Sequence, residues 1–198
     1  MVLASGIRRL RVVGALCIGL FVLAIAAQPA QADTRVVNGG ESRLEVNISN
    51  FVKLLGDGIF ITPIEPARLE FGTSPAAIFP AAGVGVADAV LSTATVPHQG
   101  GLRITKESIG QQIDATNVTL LCLPVAGCRV VNTANNLLPN ELAEIRNFTF
   151  HDDGEGTVTV TGFAHISALT ALTLNTLFQS TVFQADMQLG TFTSTFTY

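Results

Sequence analysis

Apolar and polar residues alternate along most of this chain, in short runs separated by Gly, Pro, Asn or Asp. Leu44 and Val46 alternate with polar neighbours, and residues 157–161 read Thr-Val-Thr-Val-Thr. Successive side chains of a strand point to opposite faces, so this pattern predicts antiparallel β-strands with one buried face. The sequence therefore predicts an all-β sandwich in which Phe192 and Phe196 of the last strand pack into the core.

Two segments depart from the strand pattern. Residues 51–55 have apolar spacing that suits a short helical turn, and residues 167–178 read as a helix capped by Ser167. The buried side of the second helix is predicted to be lined by Leu169, Leu172, Leu174 and Leu177.

The first 32 residues have the order of a secretory signal. Three arginines precede an apolar run over residues 12–27, and Ala30-Gln31-Ala32 forms a small-x-small cleavage site. We predict cleavage after Ala32, which leaves one domain over residues 33–198. The apolar run is shorter than the roughly 18 to 20 residues of a spanning helix, so no membrane span is expected after cleavage. The predicted location is extracellular or in the cell envelope.

The charge of the mature chain narrows the class of partner. All fifteen acidic residues but only eight of the eleven basic ones follow Ala32, giving a net charge of −7. No cluster of Lys or Arg is present there to neutralise a phosphate backbone, so nucleic acid is not expected as a partner. The expected partner is an unidentified envelope or extracellular component.

Two cysteines remain after cleavage. Cys122 and Cys128 flank Leu-Pro-Val-Ala-Gly, a turn-forming stretch that brings two strand ends together. An oxidising compartment favours a disulfide between them, and two reduced thiols are the alternative.

The most suggestive polar position is His98, within Pro-His-Gln-Gly-Gly-Leu at residues 97–102. Two adjacent glycines allow either another backbone or a flat ligand to approach the imidazole closely. A tight turn with a structural histidine is the alternative. The acidic residues of 151–156 do not have the spacing of a calcium loop and predict a solvated turn, so no metal site is expected.

Catalytic motifs are missing from the sequence. It contains no Gly-x-Ser-x-Gly elbow, no His-Glu-x-x-His and no phosphate-binding loop. We therefore predict that the protein is not an enzyme. An extracellular hydrolase remains an alternative, because the distance between two catalytic carboxylates cannot be recognised from their spacing in the sequence.

Several short motifs occur in the order found in a known family. They are Ser49-Asn50-Phe51-Val52, Phe79-Pro80, His98-Gln99-Gly100-Gly101-Leu102, Leu172-Thr173-Leu174-Asn175 and Gly190. With them the chain resembles the secreted, β-rich HtaA-type proteins of bacterial envelopes. The resemblance implies an immunoglobulin-like β-sandwich with one or two short helices, and capture of haem through a tyrosine assisted by a histidine.

Phe51 stands where the resemblance places the haem-ligating tyrosine, and a phenyl ring has no oxygen to bind iron. His98 matches the family histidine, so the predicted ligand-binding residues are His98 and Phe51. The leading prediction is a secreted, non-enzymatic binding or structural protein without a cofactor. Haem binding of the HtaA type and hydrolase activity are the alternatives.

Overall fold

The computed structural model describes residues 34–83, 85–88, 92–133 and 137–198. The predicted signal peptide and its cleavage site lie outside the described residues. Within the described residues, the strands are β1 (Arg35–Val37), β2 (Gly39–Val46), β3 (Ile59–Ile64), β4 (Arg68–Glu70), β5 (Ala76–Pro80), β6 (Gly85–Asp88), β7 (Thr93–Pro97), β8 (Gly101–Lys106), β9 (Gln111–Thr116), β10 (Thr119–Leu123), β11 (Gly127–Val131), β12 (Glu141–Asp152), β13 (Thr157–Ile166) and β14 (Gln188–Thr197). In the same described ranges the helices are α1 (Ile48–Gly56) and α2 (Ala168–Phe178), with a 3-10 turn at Glu107–Ile109.

Eleven of the strands described form one continuous antiparallel sheet curled into a half-barrel. Its strand order is β1-β6-β7-β10-β11-β12-β13-β14-β2-β5-β4, and β3-β8-β9 form a second, small sheet. Register shifts in β11–β12, β12–β13 and β13–β14 mark bulges, which bend strands and increase their twist. The prediction of a mainly antiparallel β fold with two helices is confirmed. The predicted immunoglobulin-like pair of sheets is replaced by this single curled sheet and its smaller companion.

The core consists of two main apolar clusters. One lies on the large sheet and includes Val96, Val160 and Phe196. The other joins the small sheet to both helices, with Ile59 of β3 and Leu174 of α2 among its members. Phe192 and Phe196 are 5% and 0% exposed, so the prediction that β14 directs its phenyl rings inward is confirmed.

The two helices begin at side-chain caps. Asn47 Oδ1 accepts the Asn50 N–H at 3.2 Å before α1, and Ser167 Oγ accepts the Thr170 N–H at 3.2 Å before α2. The cap predicted at Ser167 is therefore confirmed. Among the residues that the structure describes, neither helix has the length and apolar character needed to cross a membrane.

The predicted buried side of α2 is wrong at two of its four positions. Leu169 and Leu172 are 60% and 63% exposed, and the residues that are buried are Thr170, Ala171, Leu174 and Phe178. Thr170 tolerates burial because its hydroxyl donates to the Glu141 carbonyl at 2.8 Å. That side-chain bond satisfies the buried hydroxyl, so a threonine can lie on the packed face where the sequence analysis expected leucines.

Cys122 and Cys128 are joined by a disulfide. They are directly opposed residues of the β10–β11 hairpin, and both are buried in the cluster on the large sheet. The bridge therefore closes a turn between two strands that are already paired.

Candidate functional site

A cavity of about 350 Å³ lies between the two sheets and the helices. The large sheet contributes Leu120 and Ala164 to its wall, the small sheet Ile61, and the helices Leu54 and Leu174. Among the described residues, none that lines the cavity is an Asp, Glu, Lys or Arg. A cavity of this size and apolar character is typical of small-molecule sites.

Phenyl rings are distributed among the aliphatic side chains of the cavity wall. Five of the twelve phenylalanines in the chain line it, namely Phe51, Phe71, Phe79, Phe183 and Phe192. Aromatic rings prefer offset-stacked or edge-to-face contacts with other rings. The wall is therefore well suited to a flat aromatic ligand.

Two of the lining residues are also exposed to solvent. Phe71, just after β4, is 82% exposed, and Ile48, the first residue of α1, is 53% exposed. Side chains that line a cavity and face solvent mark the place where it opens to the surface. The mouth of the cavity therefore lies beside the start of α1 and the end of β4.

The principal polar group of the cavity wall is His98, which follows β7 and is 4% exposed. Its Nε2 lies 2.6 Å from Ser42 Oγ on β2, and Ser42 Oγ is in turn in very short hydrogen-bond contact with Ser194 Oγ. Ser42 and Ser194 are directly paired residues of β2 and β14. The three side chains form a buried polar chain that links the imidazole to the large sheet.

Burial keeps the imidazole of His98 neutral. Removal from water lowers the pKa of His98 to about 4, and the carbonyls of Val118 and Val96 raise that pKa by a smaller amount. Nδ1 is buried and makes no hydrogen bond of ordinary geometry. At neutral pH the ring is thus an uncharged group fixed through Nε2.

The glycines beside His98 allow a close approach of protein backbone. Gly100 has φ +74°, and a Cβ there would collide with the Ile64 carbonyl oxygen. A Cβ on Gly101 would collide with the Ala115 carbonyl oxygen of the neighbouring strand β9. The two glycines are therefore explained by the packing of β8 and the loop after β3, without a ligand.

The structure brings His98 and Phe51 to the wall of the same cavity. The sequence analysis missed Ser42, Ser194 and Phe71. A signal for both serines was present, since Ser42 lies two residues before Leu44 and Ser194 lies two residues after Phe192, at positions that share the inward face of a strand. A polar residue at an inward position indicates a buried hydrogen bond.

The only tyrosine in the chain, Tyr198, does not line the cavity. Its hydroxyl donates to Asp152 Oδ1 at 2.7 Å, and the Arg35 guanidinium lies 4.1 Å from its ring centroid. The hydrogen bond from Tyr198 lowers the pKa of Asp152. Tyrosinate ligation of a ligand in the cavity is thus excluded by the sequence and by this placement.

The acidic turn after β12 is organised by its own backbone. Asp152 accepts the Gly154 N–H at 2.8 Å, and Asp153 accepts the Glu155 and Thr157 N–H groups at 2.7 and 2.9 Å. This is the Asx-type turn chemistry expected for a hairpin. Within the described residues, no group of three or more His, Cys, Asp or Glu side chains is placed to hold a metal ion.

No protein-family model and no curated protein matches the sequence. The solved structures that match the fold include two from Corynebacterium glutamicum. The C-terminal domain of HtaA from Corynebacterium glutamicum superposes with a TM-score of 0.57 at 13% identity, covering 82% of this chain and 98% of that domain. The haem-binding protein HtaB from Corynebacterium glutamicum superposes with a TM-score of 0.50 at 16% identity, covering 83% and 95% of the respective chains. The chain therefore has a fold similar to that of HtaA and HtaB domains, as the order of its motifs predicted.

Proposed function

We propose that this protein is a non-enzymatic binding protein that takes up a haem-type ligand in the cavity between its two sheets. The observation that carries the proposal is the apolar wall of that cavity, which includes five phenylalanines and, among the described residues, no charged side chain. The similarity of the fold to a structure described as a haem-binding protein supports the same ligand class. This reverses the ranking made from the sequence, in which haem binding was an alternative.

The residues at the cavity suit the porphyrin ring of haem better than its iron. The porphyrin ring is flat and apolar, and the five phenylalanines supply matching surface. For the iron, the described lining residues supply no tyrosine, cysteine or carboxylate, Met187 offers only a neutral thioether, and the imidazole of His98 is already bonded to Ser42. The apolar wall is thus the main source of affinity in this proposal.

The Ser42–His98 pair has the composition of a nucleophile and its base, but its environment favours binding over hydrolysis. Ser42 is 2% exposed, and its hydroxyl also contacts Ser194. The pKa of His98, about 4, makes it a poor proton acceptor compared with an ordinary catalytic imidazole. A structural role for this pair accounts for its burial.

We place this activity outside the cytoplasm, in the envelope or the medium. The secretory signal predicted over residues 1–32 supports this location. A partner in the envelope that donates or accepts the ligand is part of the proposal, and nucleic acid is not.

The test is a haemin titration of the purified protein, followed by absorbance. Ile48→Asp places a charge at the mouth of the cavity, and we expect it to weaken haemin binding at least tenfold. Val52→Asp is the matched control, because Val52 is 58% exposed on the same helix but does not line the cavity. No saturable binding by the unmodified protein, or equal weakening by both variants, rejects the proposal.

A further inference from the structure

We infer that the cavity recognises the aromatic macrocycle of its ligand and not a bound iron, so that metal-free porphyrin is as good a ligand as haem. The inference rests on the proposed function and specifies the chemistry of the same site. Three features of the described residues carry it: the donor atoms of the wall, the state of His98 and the placement of the phenyl rings.

The donor atoms of the wall do not match the needs of ferric iron. Ferric haem is commonly held by an anionic oxygen or sulfur, or by a free imidazole nitrogen. Tyr198 lies elsewhere, Cys122 and Cys128 are consumed in the disulfide, and no carboxylate lines the cavity in the part of the chain that the structure describes. Met187 lines the cavity with an uncharged thioether, which is a weak ligand for ferric iron, so an imidazole nitrogen is the strongest iron donor left.

Both nitrogens of His98 are withheld from a ligand in the cavity. Nε2 is bonded to Ser42 Oγ at 2.6 Å, and removing it would break the buried chain that continues to Ser194. Nδ1 is fully buried, so an iron atom cannot reach it without movement of the ring. The imidazole therefore contributes an uncharged surface to the wall.

The phenyl rings extend from the interior to the mouth. Phe192 is 5% exposed and lies in the core, whereas Phe71 is 82% exposed at the opening. A large apolar side chain with that exposure gains surface burial only when a ligand covers it. A flat ring system that enters the cavity would contact phenyl rings at both ends.

The experiment compares the dissociation constants of haemin and of metal-free protoporphyrin IX, measured on the same protein by ligand absorbance and fluorescence. We expect the two constants to differ by less than tenfold. A tenfold or greater preference for haemin overturns the inference while leaving the proposed function intact. Binding of neither compound rejects the proposed function itself.

Two variants separate ring recognition from iron ligation. Phe71→Leu keeps an apolar residue and removes the ring, and we expect it to weaken both ligands alike, by about three- to tenfold. Phe163→Leu is the matched control, because Phe163 is 40% exposed and does not line the cavity. His98→Gln is expected to change the haemin-to-protoporphyrin ratio less than threefold, with circular dichroism verifying its fold. The inference is contradicted if His98→Gln weakens the binding of haemin alone by more than threefold. It is also contradicted if Phe71→Leu weakens the binding of neither ligand.

Discussion

His98 Nε2 and Ser42 Oγ, 56 positions apart in the sequence, lie 2.6 Å from each other in the interior. The bond joins the loop after β7 to β2, and Ser194 extends it to β14. Protonation of this buried imidazole would destabilise the folded protein, because the charged ring would lie where water is excluded.

Stability is expected to fall as the pH drops from 6.5 to 5. Burial lowers the pKa of His98 to about 4 in the folded protein, while the unfolded chain takes up a proton near pH 6.5. The unfolded state thus binds more protons within this window, and the free energy of unfolding decreases by about 1 kcal/mol per pH unit on average over it. Urea unfolding at several pH values measures the slope.

The variant His98→Gln removes this titration and is expected to flatten the slope between pH 6.5 and 5. Val125→Gln, at a side chain that is 99% exposed, serves as the control and should preserve the slope of the unmodified protein. An unchanged slope in His98→Gln would show that another group takes up the proton.

A methyl group on Gly101 is expected to destabilise the fold. The new Cβ would collide with the Ala115 carbonyl oxygen in the small sheet, so β8 and β9 must separate. We expect Gly101→Ala to lower the free energy of unfolding by about 1 to 3 kcal/mol, the usual range for overpacking. Gly72→Ala, where a Cβ meets nothing within 4 Å, should stay within about 0.5 kcal/mol of the unmodified protein. Equal effects at the two sites would count against the close approach of these strands.

Two leucines of α2, two positions apart, are expected to respond differently to charge. Leu172 is 63% exposed and Leu174 is 3% exposed. We expect Leu172→Lys to change the melting temperature little. Leu174→Lys would bury an unpaired ammonium group, so we expect that variant not to fold and to show no cooperative unfolding transition. Thermal unfolding followed by circular dichroism measures both. A severe effect at Leu172 would support the orientation of α2 first predicted from the sequence.

Removal of the disulfide is expected to lower the free energy of unfolding by about 2 kcal/mol. The effect is small because the bridge closes a short loop, so opening it adds little chain entropy to the unfolded state. Cys122→Ala combined with Cys128→Ala should lower the urea midpoint accordingly and leave the fold intact. Loss of folding in the double variant would mean that the buried sulfur atoms contribute more through packing than through loop closure. Reduction of the unmodified protein, which keeps both sulfurs, distinguishes these two contributions.

Much of the strand structure could be predicted from the sequence, since local alternation is itself the physical signal. β13 and β14 repeat polar and apolar residues with the period of a pleated strand, and burial of alternate side chains follows. The Ser167 cap is equally local, because its acceptor oxygen bonds an N–H three residues away. The face of α2 was not predictable in this way. Its residues are almost uniformly apolar or threonine, so no periodic contrast identifies the buried side.

The sequence by itself determined the antiparallel strands and the proximity of Cys122 to Cys128, because each depends on neighbouring residues, and it determined the net charge of residues 33–198, which depends only on composition. The tertiary structure alone decided that eleven strands join one curled sheet, and that Phe71 and Phe51 share a cavity with His98. Strand order and cavity shape arise from contacts between distant segments, for which local pattern carries little information. The state of His98 belongs to the same category, since its neutral imidazole depends on burial and on Ser42 from another strand.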